Sequence, residues 1–183
     1  MPEAECPLPL LILGLGNVLC SDDGLGVAAV HRLLDSYEAS DGVRILDGGT
    51  LGLSLLPYLE DAERVILVDA VRDDAAPGSF VRMTGEDVAP AVTSRLSVHQ
   101  IGVVDLLDGA RWLGRMPKTL ILLGLVPESL ELSLTRTASV ERHLPELVER
   151  IAAEARELGF PLRPVRHETS VPDSLADTAA LGL

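Results

Sequence analysis

The residues able to do chemistry stand where the apolar runs of this 183-residue chain break off. Asp22 and Asp23 follow Gly14-Leu15-Gly16-Asn17, Asp47 precedes Gly48-Gly49, and Asp69 ends the run Val65-Ile66-Leu67-Val68. His99 precedes a helical pattern that begins at residue 101. Two carboxylates and an imidazole, as in Asp23, Asp69 and His99, form an open set of three ligands for zinc, nickel or manganese. Such a set leaves positions for water or substrate. Asp47 is a candidate acid or base beside it, although an aspartate before two glycines also starts a turn. Plainer readings compete: Asp22 and Asp23 would cap a helix and favour its positive end, and His99 alone would be an ordinary rim histidine. Asp69 is the hardest to explain away, because a carboxylate after four apolar residues in a central strand needs a partner.

Other chemistries fit worse. Gly14-Leu15-Gly16 follows a strand, but Leu19 stands where a dinucleotide site needs its third glycine, and Asp22 and Asp23 would repel a pyrophosphate. No G-x-S-x-G elbow surrounds Ser21, Ser54 or Ser97. Cys20 lies beside the acidic pair, which disfavours a thiolate; it reads as a small packed residue. His31, His143 and His167 have no acidic constellation nearby in sequence and read as surface or packing residues.

Positioning Asp23, Asp69 and His99 together requires a particular architecture. Apolar runs at 8–15, 64–71 and 119–126 predict strands buried on both faces, 43–46 predicts a further strand, and an alternating run at 79–83 predicts an edge strand. Helical periodicity falls at 27–37, 101–113 and 139–158, where Pro145 marks a kink or a later start. A short helix is expected at 53–59, limited by Pro57. Strands alternating with helices predict a three-layer α/β/α sandwich around a mostly parallel twisted sheet of about five strands. In such sheets ligands bind beyond the carboxyl ends of the strands, where all the candidate residues fall.

Composition sets the remaining bounds. The chain is 47% hydrophobic and 3% aromatic, so Leu, Val, Ile and Ala must build its core. Its 28 acids against 15 bases give a net charge of −13, which argues against nucleic acid and anionic membranes as partners. Two cysteines cannot make a disulfide framework and suit a reducing compartment. The start of the chain has acids where an export signal carries bases, so a cytoplasmic protein is expected. Residues 1–163 read as a single domain, with 164–183 as a loosely attached tail.

Taken in order, these blocks resemble the [NiFe]-hydrogenase maturation proteases. The resemblance rests on Gly14-Leu15-Gly16-Asn17-Val18-Leu19 with Asp22-Asp23-Gly24-Leu25-Gly26, and on Leu46-Asp47-Gly48-Gly49-Thr50-Leu51-Gly52. It continues through Val68-Asp69-Ala70, Ser97-Val98-His99-Gln100-Ile101-Gly102 and Leu123-Gly124-Leu125-Val126-Pro127-Glu128-Ser129. It implies a three-layer α/β/α fold, with Asp23, Asp69 and His99 as metal-binding residues. It also implies an endopeptidase that removes the C-terminal extension of the nickel-loaded hydrogenase large-subunit precursor, the nickel arriving with that substrate. On this expectation Asp47 is an auxiliary acid or base, and Gly48 and Gly49 let the precursor backbone approach. A monomer is expected. A non-catalytic nickel- or precursor-binding chaperone and a stand-alone metallopeptidase or amidohydrolase are the alternatives; the latter lacks an H-E-x-x-H signature.

Overall fold

A computed structural model of the protein describes residues 8–88, 90 and 98–165, with side chains in the last segment described from 102 onward. Strand β1 (Leu8–Leu15) lies between β3 (Val43–Gly49) and β4 (Ala62–Ala70), parallel to both. β6 (Thr119–Leu125) adds to β4 in parallel, and β5 (Phe80–Thr84) closes the edge antiparallel to β6. The five-stranded order is thus β3-β1-β4-β6-β5. The continuous apolar runs of β1, β4 and β6 take the middle, as strands buried on two faces require, while alternating β5 and the mostly half-exposed β3 take the two edges.

The pleat sorts the central residues into two cores. Leu10, Ile12, Ile66, Val68 and Leu123 face helices α1 (Leu25–Ser36) and α4 (Ala138–Glu157). Leu11, Leu13, Leu67 and Leu122 face α2 (Leu56–Glu60) and α3 (Val98–Trp112). Many of these side chains are completely buried, each contributing roughly 1.5–3 kcal/mol of transfer free energy. α1 approaches the sheet unusually closely. A Cβ added at Gly26 would fall 2.0 Å from the Val68 carbonyl oxygen, so only glycine lets this helix touch the backbone of two strands.

Several boundaries differ from expectation for identifiable reasons. Pro57 occupies the first turn of α2, where its missing N–H is no loss, so it begins the helix instead of limiting it. Pro145 neither delays nor ends α4, which runs unbroken over 20 residues. Its ring faces solvent while Val140, Leu144, Leu147 and Ile151 keep both halves docked. α3 begins at Val98, so His99 belongs to its first turn and not to the segment before it. β3 extends through Asp47 to Gly49. Finally, β2 (Tyr37–Glu38) pairs with β7 (Arg163–Pro164), and the Val165 N–H donates to the Ser36 carbonyl at 2.8 Å. The chain is therefore held to the end of α1 through residue 165; residues 166–183, including His167, and Cys6 lie outside the described residues.

Candidate active site

β1 connects through α1 to β3 on one side of itself, whereas β4 lies on its other side. The crevice between the carboxyl ends of β1 and β4 is therefore the switch point at which open α/β sheets bind ligands. Asp23 enters this crevice from the turn after β1, and Asp69 enters from β4 itself.

The turn is sharp. Gly16 has φ +119° and Ser21 has φ 51°, both in the left-handed region, before a short 3₁₀ turn over Ser21–Gly24 leads into α1. The Asn17 N–H donates to Asp23 Oδ2 at 2.9 Å and fixes the carboxylate over the turn. A Cβ at Gly16 would stand 1.8 Å from the Asp23 carbonyl oxygen and 3.6 Å from Asp69 Oδ1. The Asp23 backbone carbonyl therefore admits only glycine at position 16, and the Asp69 carboxylate lies at ordinary contact distance from the same residue. Asp23 is 2% exposed and Asp69 4%. The Ala70 N–H donates to Asp69 Oδ1 at 2.7 Å.

Alternation along β4 sends Val68 and Ala70 toward α1 and α4, so Asp69 points to the face covered by α3. The first turn of α3 reaches the same rim. A Cβ at Gly102 would come within 2.9 Å of the Gly52 Cα, a backbone-to-backbone contact that seats the start of α3 on the loop after β3. His99 lies in that first turn, and its side chain is outside the described residues. Among the described residues no three His, Cys, Asp or Glu side chains are grouped to hold a metal ion. Asp23 and Asp69 supply two carboxylate donors from the expected trio, a set suited to a divalent cation.

The remaining candidates have other surroundings. Asp47 projects to the α1 face, opposite Asp69, where its Oδ2 lies 2.9 Å from His31 Nε2. His31, expected to lack an acidic neighbour, has one because α1 crosses β3. Asp22 makes no capping bond to α1. Its fully buried carboxylate instead accepts hydrogen bonds from Glu128 N–H (2.9 Å), Ser129 N–H (3.1 Å), Thr137 N–H (2.7 Å) and Thr137 Oγ1 (2.9 Å). These bonds pin the loop after β6 beside the turn that carries Asp23. Gly48 does not open space for a ligand: a Cβ there would strike Leu13 Cδ1 at 2.7 Å and Leu55 Cδ1 at 3.0 Å. His143 is a packing residue, its Nδ1 2.7 Å from the Ser139 carbonyl oxygen and its ring edge-on to Phe80. Cys20 is a free, half-buried thiol.

Comparison with known proteins identifies the framework around this crevice. A family model described as hydrogenase maturation protease matches residues 27–154. The hydrogenase 2 maturation protease of Escherichia coli is 38% identical over 156 residues, covering 85% of this chain and 95% of that protein. The hydrogenase expression/formation protein HupD of Bradyrhizobium diazoefficiens is 41% identical over 133 residues, 72% of this chain and 69% of that one. The structure of the hydrogenase maturating endopeptidase HybD from E. coli superposes with a TM-score of 0.81 at 38% identity, covering 85% of this chain and 97% of its own. That of the [NiFe] hydrogenase maturation protease HybD from Thermococcus kodakarensis gives 0.66 at 27%, covering 80% and 99%. With a family model spanning most of the chain, and this level of identity carried through the whole fold, the protein belongs to the hydrogenase maturation proteases.

Proposed function

We propose that this protein removes the C-terminal extension of a nickel-loaded [NiFe]-hydrogenase large-subunit precursor, and that Asp23, Asp69 and His99 complete the coordination of the precursor's nickel. The observation that supports this most is the burial of two aspartates, Asp23 and Asp69, whose residues both border Gly16 at the strand switch point. Carboxylates buried away from water at one rim favour a cation beside them. Docking the substrate's metal on these carboxylates holds the scissile peptide in one place, and positioning of this kind supplies a large share of catalysis. The cation also offers polarisation of the scissile carbonyl and a lowered pKa for an attacking water. Asn17, through its N–H to Asp23, and Ala70, through its N–H to Asp69, orient the carboxylates before substrate arrives. Asp47 keeps the place of an auxiliary acid or base in this scheme only if its bond to His31 opens when the precursor docks.

The test is incubation of the purified protein with nickel-loaded and nickel-free precursor, reading the mass of the precursor's C-terminus. Only the loaded form is expected to be trimmed, and Asp69→Asn should slow trimming by at least about 100-fold while the fold is retained. Trimming of both forms at one rate, or wild-type processing by Asp69→Asn, would refute the nickel-docking scheme.

A further inference from the structure

Asp69 is followed by a feature that the trimming scheme does not use. β4 leaves the sheet through Val71 into Arg72, Asp73 and Asp74, and neighbouring β6 leaves through Val126 into Pro127, Glu128 and Leu130. The two exits are tied at their base, the Val71 N–H donating to the Leu125 carbonyl at 2.9 Å. Above that tie they diverge around a cavity of about 650 Å³, lined by Arg72, Asp73, Asp74, Pro127, Glu128 and Leu130. This lies within the range of sites that accept a small ligand or a few side chains.

One wall is set in advance. The far wall is the loop that buried Asp22 pins through Glu128 and Ser129. The Glu128 carboxylate is itself held by the Ser139 hydroxyl at 2.5 Å. On the near wall, Asp73 Oδ1 accepts the Ala75 N–H at 3.1 Å. A cleft with one wall already fixed costs less to organise around a ligand. Its position is equally constrained. Two residues, Ala70 and Val71, separate Asp69 from Arg72, so their Cα atoms stand at most about 11 Å apart along an extended chain.

We propose that this cleft is a subsite for the peptide substrate, receiving a cationic side chain two or three residues from the scissile bond. The cavity and its distance from Asp69 place the subsite, and the lining selects the occupant. Pro127 and Leu130 offer apolar surface to an aliphatic stem, and the carboxylates of Asp73, Asp74 and Glu128 outweigh the Arg72 guanidinium at its tip. The inference rests on the reading that the bond cut lies at Asp23 and Asp69.

The experiment uses the intact protein and nickel-loaded precursors in which each residue within three of the scissile bond is changed in turn to Lys, Gln or Glu. At one position Lys is expected to exceed Glu in kcat/KM by about 10-fold, the yield of two partly solvated charge contacts. Asp73→Asn combined with Asp74→Asn should erase most of that preference through KM, and Arg72→Gln should enlarge it. Asp73 and Asp74 are exposed, so these variants keep the core untouched. A preference that survives the double substitution, or no preference at any position, would overturn the subsite while leaving the proposed function standing. Failure of the unaltered protein to trim any loaded precursor would remove the proposed function and this subsite with it.

Discussion

Replacing Asp22 offers the most direct probe of how the site is held together. The side chain is 0% exposed and accepts four hydrogen bonds, three from backbone N–H groups and one from a hydroxyl. Bonds to a charged group are worth roughly 1.5–3 kcal/mol each, but they are not additive here, because a released loop rehydrates its own donors. Asp22→Ala should therefore cost about 3–5 kcal/mol. Asp22→Asn has a cheaper solution. Its amide oxygen can stay at the Oδ2 position and keep three donors, leaving an NH₂ against the Thr137 N–H, for about 1–3 kcal/mol. At roughly 2–4 °C per kcal/mol for a chain of this size, a 2 kcal/mol loss lowers Tm by about 4–8 °C. Urea unfolding followed by circular dichroism gives the free energies, and hydrogen exchange should show the loosening concentrated in 126–137. An Asn variant within about 0.5 kcal/mol of wild type, or protection lost evenly across the sheet, would refute the assignment of Asp22 as the anchor.

Other perturbations probe the scaffold. Gly26→Ala drives a methyl into the Val68 carbonyl and should cost at least about 3 kcal/mol by chemical denaturation, since neither backbone can retreat freely. Arg82 binds the nearly buried Glu154 through two bonds of 2.8 Å, and Glu154 holds the guanidinium pKa above its usual value. Because Arg82 is half exposed, Arg82→Met should cost only about 1–2 kcal/mol, a loss read in the same unfolding experiment. Burial, and then donation to the Glu149 carboxylate at 2.8 Å, raises the Tyr37 hydroxyl above its ordinary value of 10.0. A raised pKa favours the neutral phenol, so its contribution to stability is complete below pH 10 and fades as pH climbs through the folded value. Tyr37→Phe should flatten that alkaline loss in a series of unfolding curves.

The sheet was readable in the sequence because burial on two faces leaves a run that only one structure accommodates. β1 covers the residues that its apolar run predicts, and Phe80–Thr84 takes the edge that its alternation predicts. Asp23 and Asp69 were readable as neighbours because one follows β1 and the other ends β4, so both fall at the same rim. What escaped were relations across the chain. The partners of Asp22 lie 106 to 115 residues away, and no local pattern distinguishes a carboxylate that caps the next helix from one that secures a distant loop. His31 and Asp47 meet only because α1 crosses β3, and Gly48 serves Leu13 and Leu55 instead of an incoming backbone. Pro57 was misleading because a proline in the first helical turn gives up no bond. At Pro145 the helix starts seven residues earlier because the buried stripe on both sides of it outweighs the lost N–H.

The short ladder between Tyr37–Glu38 and Arg163–Pro164 bears on how the protein can be handled. α1 starts at the rim that carries Asp23 and runs 12 residues, about 18 Å, before reaching the point where Val165 is fastened. A fluorophore, affinity handle or surface tether joined just after that residue begins its path a helix length from Asp23. Immobilising the enzyme there leaves its working edge facing the solution.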